Sequence, residues 1–254
     1  MKKLSGLFLC VIALTNLVLA EGNVTAEEKE LLRPHIKKIK RALPLLEEDL
    51  KEYTQEYENF NQKYDATEKK IRAETGFFAK NKLKVKLKYY KVQKNRYFKK
   101  KDKMQVQLAI YYCILSVFNE PDIPKSKLEE AKLLKSKIEE RKNWAARKRL
   151  KSEKNIEKAE KKMREIPKEE EKLEKALKKL EKRMEVLNYK KSWSNMSERV
   201  ALRSKIAFQK SKILKLQGEL VIRQKFKDDA YQEKKAMLLE ETEATVALKV
   251  IDTL

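Results

Sequence analysis

From Thr25 onward the apolar residues recur at alternating three- and four-residue intervals. Leu32, Ile36, Ile39, Leu43, Leu46, Leu50, Tyr53, Tyr57, Phe60, Tyr64, Thr67 and Ile71 hold that register, and only Thr67 is not plainly apolar. Such spacing lays one apolar stripe along an α-helix, as in a coiled-coil seam. Thr25 with Glu28 forms a capping box that predicts the helix start, and Gly76 predicts its stop. Pro34 and Pro44 lie inside the span. Pro44 is expected to kink or divide the helix, because its ring displaces a backbone hydrogen bond.

A second helix is predicted over residues 77–118, with Leu83, Leu87, Tyr90, Lys94, Tyr97, Lys101, Met104, Leu108, Tyr111, Leu115 and Phe118 on its seam. Lys94 and Lys101 intrude there, which predicts weaker packing and an opening toward solvent or ligand. Residues 82–88 alternate lysine with apolar residues at period two, a strand pattern. No second strand candidate pairs with them, so a helix is expected. Residues 108–118 are apolar on nearly every side, which predicts a segment surrounded by other helices.

Asn119-Glu120-Pro121-Asp122-Ile123-Pro124 reads as a linker. Ser126 with Glu129 predicts a capping box opening a third helix over residues 126–190. Its register runs through Leu128, Ala131, Ile138, Ala145, Ile156, Ala159, Met163, Ile166, Leu173, Leu177, Leu180, Met184 and Leu187. Pro167 leaves that phase unchanged, so a kink is expected and not a boundary. Residues 190–194 read as a turn. A last helix over 195–252 carries Ile206, Ile213, Leu216, Leu220, Ala230, Met237, Ala244, Leu248 and Ile251 on its stripe. The pattern predicts an all-α fold, an elongated antiparallel bundle or coiled coil of about four long helices. It divides into a hairpin over residues 21–118, a linker over 119–125 and a second hairpin over 126–254.

Composition sharpens this picture. With 40% charged residues, four glycines and five prolines, the chain suits long helices, and the seams argue against disorder. Residues 1–20 read as a signal peptide: Lys2 and Lys3 precede an apolar run ending at Val18-Leu19-Ala20, with cleavage expected before Glu21. The run is shorter than the roughly 20 apolar residues of a membrane span. A secreted, extracellular product is therefore expected. Its removal takes away Lys2, Lys3 and Cys10, lowering the formal charge from +23 to +21 and leaving Cys113 as the one cysteine. Disulfide stapling is thereby excluded. Cys113 is expected to be a buried free thiol, or else to join two copies as a homodimer.

Candidate catalytic chemistry is sparse. His35 is the one histidine, and pairing it with Cys113 as a nucleophile would need two helices to bring them together. No metal site is expected from one histidine and one cysteine. Carboxylates lie three or four residues from lysines, as Glu171 with Lys175 and Glu174 with Lys178, which suits solvated surface pairs. Too few glycines remain for a phosphate loop. No enzyme activity and no cofactor are expected. Asn23-Val24-Thr25 and Asn195-Met196-Ser197 are glycosylation sequons, so Asn23 and Asn195 are candidate glycan sites.

Charge placement carries the functional signal. Residues 80–103 hold twelve cations and one acid, Asp102, for a net +11. Lys80, Lys84, Lys88, Lys91, Arg96, Lys99, Lys100 and Lys103 are the candidate ligand-binding residues there, with Tyr89, Tyr90, Tyr97 and Phe98 interleaved. A second cluster, Arg141, Lys142, Arg147, Lys148, Arg149 and Lys151, surrounds Trp144 with no acid between. Two readings stand. The cations bind an extracellular polyanion: glycosaminoglycan, polyphosphate, nucleic acid or an anionic membrane surface. Otherwise they solubilise a coiled coil that recruits a protein partner through its seams. Sequence-specific nucleic-acid recognition is not expected, because no recognition module appears.

A signal peptide, heptad seams and a lysine excess without disulfides resemble the lysine-rich salivary coiled-coil proteins of mosquitoes. The resemblance implies delivery into a host's blood or skin, and it brings no catalytic residues with it.

Overall fold

The computed structural model describes residues 23–120, 123–189 and 195–254, so the expected signal peptide and the expected turn at 190–194 lie outside the described residues. The fold is all-α, and no strand occurs among the described residues. In chain order the helices are α1 (Ala26–Leu32), α2 (Ile36–Ala73), α3 (Phe77–Val117), α4 (Lys125–Leu133), α5 (Lys135–Tyr189) and α6 (Met196–Thr253). A 3-10 turn, Arg33–His35, joins α1 to α2. Residues 82–88 belong to α3, so their period-two pattern does not make a strand.

The chain forms two compact units: residues up to Ala145 together with Leu239–Leu254, and Ala146–Leu238. Both boundaries fall inside helices, α5 and α6, whereas the sequence reading divided the chain at the linker 119–125. In the first unit, residues of α4, α5 and the end of α6 complete the core around α3. That core takes Leu32, Ile39, Ile110, Cys113, Ile114, Ala131, Ile138, Ala244, Val246 and Val250 into full burial. Each large aliphatic side chain there contributes roughly 1.5–3 kcal/mol of transfer free energy. The all-round apolar stretch of α3 is thus surrounded, as its pattern predicts.

All twelve seam positions from Leu32 to Ile71 are buried or half-buried. Thr67 is accommodated because its hydroxyl donates to the Lys63 carbonyl at 2.7 Å. The Thr25–Glu28 capping box forms in both directions, and Lys249 Nζ bonds the Glu28 carboxylate at 2.7 and 2.8 Å, fastening α1 to α6.

Three local expectations are corrected. Pro44 does not divide α2, which continues across it, and its neighbours Leu43 and Leu46 pack against the core. The interruption falls instead at Pro34, whose fixed φ suits the 3-10 turn. The stop expected at Gly76 is found at residues 74–76, where Gly76, with φ −72°, is the N-cap of α3 and its amide donates to Glu74 Oε1 at 2.8 Å. Ser126 caps nothing, since α4 starts one residue earlier behind Pro124 and Ser126 is already helical. The third helix breaks at Leu134, which leaves the helical conformation (φ −99°, ψ 4°) and packs against the core. At the end of α3, Asn119 adopts φ 53°, a left-handed position that asparagine tolerates.

The second unit is a two-helix hairpin with a thinner seam, in which Ile156, Ala159, Ile166, Met184, Leu202, Ile213 and Ala230 are buried. Polar rungs run along it in antiparallel order. Ser152 Oγ donates to Glu233 (2.7 Å), Lys227 meets Glu160 (3.3 Å), Gln217 donates to Glu170 (2.6 Å) and Lys210 meets Glu181 (3.1 Å). Ser152 occupies a seam position and is buried, and the hydrogen bond its hydroxyl donates to Glu233 satisfies it there, with the Lys148 carbonyl 3.2 Å away. Pro167 sits inside a continuous α5, as the unchanged phase predicts.

Candidate functional site: a basic helix face

The first half of α3 packs on α2 through a ladder of aromatic rings. Phe60 stacks on Tyr97 with centroids 5.5 Å apart and meets Tyr90 at 6.3 Å; Tyr53 lies 6.3 Å from Tyr97, and Tyr57 lies 5.8 Å from Phe98. Apart from Phe98, these rings are the period-3.5 aromatic residues of the two seams, brought together by the tight turn at residues 74–76. Lysines cap them. Lys94 Nζ sits 5.2 Å over Tyr64, Lys101 Nζ 5.5 Å over Tyr57, and Lys100 Nζ 4.6 Å over Tyr53. The expectation that Lys94 and Lys101 loosen the seam is therefore corrected. Each spends its charge on the negative face of a ring and its stem on apolar surface, so both belong to the packing.

The remaining cations of the window are mostly exposed. Lys84, Lys88, Lys91, Arg96, Lys99 and Lys103 are exposed, and Lys80 and Lys100 are half-buried. The single acid of the window, Asp102, is bonded to Lys137 of α5. None of the twelve cations in residues 80–103 has a carboxylate partner among the described residues. On a helix of 24 residues, about 36 Å long, this leaves one cation for about every 3 Å of axis.

The second cluster differs. Arg141 bonds Glu240 at 2.5 Å with only 18% of its side chain exposed, and Arg149 bonds Glu153 at 3.1 Å. The acids come from α6 and from one turn further along α5. Arg141 and Lys142 lie in the first compact unit; Arg147, Lys148 and Arg149 lie in the second. Arg147 and Trp144 are exposed, and Lys142, Lys148 and Arg149 are half-buried.

Cys113 is fully buried (0% exposed), and burial pushes its thiol up to about 12, so it stays protonated at neutral pH. No group of three or more metal-binding side chains occurs among the described residues, and no described helix is long and apolar enough to cross a membrane. Two features escaped the sequence reading. Glu243 is a buried carboxylate on α6, pushed up to about 7 by burial, with Arg141 acting against that shift. Its place directly before the mostly apolar stretch 244–251 was the available signal. The second is a set of exposed apolar residues on the outer side of α3, hidden from a search directed at its seam and its charges.

No family model, no curated protein and no solved structure matches this chain.

Proposed function

We propose that this chain is a secreted, non-enzymatic binding protein whose α3 face engages extracellular polyanions. Residues 1–20 serve as its secretion signal, and exposed Asn23 is its more accessible glycan site, with Asn195 half-buried. One observation carries the reading: the cations of residues 80–103 go without acidic partners, whereas lysines and arginines of the hairpin α5–α6 are repeatedly matched, as Lys175 with Glu171 and Lys210 with Glu181. A row of unmatched cations repels itself, and an anionic chain or surface relieves that repulsion while releasing its own counterions.

Heparin retention tests the reading. Reversing Lys84, Lys88, Lys91 and Lys99 to glutamate is expected to abolish retention with helicity intact. Reversing Lys168, Lys172, Lys178 and Lys182, also exposed, is expected to do much less. Equal losses would make overall charge the determinant and remove the site from α3.

A second reading, a protein-binding or self-associating coiled coil, is favoured by a different observation. In the second unit Val200, Phe208, Leu214, Val221, Ile222 and Phe226 stand exposed on α6. Sedimentation velocity over a range of concentrations separates the two: self-association lost in Leu214→Gln/Val221→Gln supports the second.

A further inference from the structure

The anion-binding face of α3 is not purely cationic. Phe78, Val85, Tyr89 and Val92 follow one another at seven, four and three residues, an interval set that places them on one face of the helix. That face points away from the seam, with Tyr89 at its edge, where its ring also meets Phe60 of α2 at 6.4 Å, and the four side chains are 87%, 69%, 54% and 63% exposed. Lys82 and Lys86 border the stripe on one side, Lys84 and Lys88 on the other, and all four are exposed. At the tip of the hairpin, next to the turn at residues 74–76, Phe77 joins Phe78 in an edge-to-face pair with centroids 5.6 Å apart. The opposite side of α3 is held against α2 by the aromatic ladder, so the stripe is presented on a preformed helix.

A sulfated sugar or polyphosphate has no use for four exposed apolar side chains between its ion pairs. A lipid surface uses both. We propose that this face of α3 docks on an anionic phospholipid surface, with Phe78, Val85 and Val92 entering among the headgroups, Tyr89 lying at their edge and the bordering lysines meeting phosphates. The inference rests on the anion-binding reading above and names the partner of that same face. Lysine stems are long enough to lie along the stripe while their ammonium groups reach outward to the headgroups. An apolar stripe with lysine borders is the arrangement by which surface helices bind in the interfacial plane, their affinity the sum of buried apolar area and attraction to anionic lipid.

The test uses the full secreted chain and vesicles of phosphatidylcholine, either pure or equimolar with phosphatidylserine, read by flotation, alongside heparin retention. The native chain is expected to float with the phosphatidylserine vesicles and not with the pure ones. Phe78→Gln/Val85→Gln/Val92→Gln changes exposed positions to a residue that suits helices. It is expected to weaken vesicle binding about tenfold or more, while heparin retention and circular dichroism stay unchanged. Vesicle binding by this variant equal to the native chain's would overturn the docking and leave the polyanion reading standing. So would a native chain that is retained on heparin but ignores both vesicles, since the partner is then a soluble polyanion. Equal flotation with both vesicle types would overturn the requirement for anionic lipid, and failure on both vesicles and heparin would overturn this inference together with the reading beneath it.

Discussion

Glu243 lies buried on α6 among Arg141, Glu240, Gln107, Tyr111 and Lys38, and burial pushes its carboxyl up to about 7 from the ordinary 4.5. Between those values the folded chain holds a proton that the unfolded chain has lost. Its contribution is therefore fully present below about pH 4.5 and is lost as pH rises through about 7, a swing on the order of 3 kcal/mol. Glu243→Gln is expected to flatten that slope, as measured by urea midpoints near pH 5 and near pH 8. An unchanged slope would mean that water reaches the carboxylate. Glu28 acts with the opposite sign. Burial opposes it, but the Lys249 hydrogen bond and the Thr25 amide hold its carboxyl below the usual value, so its contribution is lost only in more acidic solution. Cys113 offers a simpler check. A thiol reagent is expected to label it only after unfolding, and a dimer band lost on reduction would contradict its burial as a free thiol.

At the scale of the helices, the α2–α3 hairpin depends on rings and on the lysines above them. Phe60→Ala removes the ring shared by Tyr89, Tyr90 and Tyr97 and is expected to cost about 2–3 kcal/mol, below the range for a fully buried phenylalanine because Phe60 is half-buried. Lys94→Gln and Lys101→Gln are expected to cost about 0.5–1 kcal/mol each by chemical denaturation. A stabilising effect would return them to the role of seam defects. The helices themselves were legible in the sequence, because a three-four spacing held over dozens of residues has no other economical reading. What stayed hidden depended on partners distant in sequence. The rings under Lys94 and Lys101 come from α2, some 30 to 44 residues away, and the acid that occupies Arg141 comes from Glu240. Local rules also gave way: α2 continues across Pro44, and Leu134, between α4 and α5, leaves the helical conformation and packs against the core. The basic window on α3 was legible because its acids are missing locally, and Asp102, the one exception, is occupied by Lys137. The apolar stripe between those lysines was equally present in the sequence, but it has meaning only once the seam is known to face the other way.

For the whole molecule, the two compact units differ in what holds them. The first has a core fed by six helices, and the second has one seam and a series of polar rungs. Hydrogen exchange is expected to be slowest at residues 106–117 and 246–251 and faster throughout Ala146–Leu238. Uniform protection would mean that the units open together. Charge is the other property of the whole. A chain of formal charge +23 attracts any polyanion weakly, so the central claim is that α3 does so specifically. The most direct measurement is the slope of log affinity for heparin against log salt, taken for the native chain and for two neutralised variants. Lys84, Lys88, Lys91 and Lys99 to glutamine is predicted to reduce that slope by about 3, at roughly 0.7–0.9 per lost contact. Neutralising Lys168, Lys172, Lys178 and Lys182 in the same way is predicted to leave it nearly unchanged. Equal reductions in the two variants, or none in the first, would contradict the assignment of polyanion binding to α3.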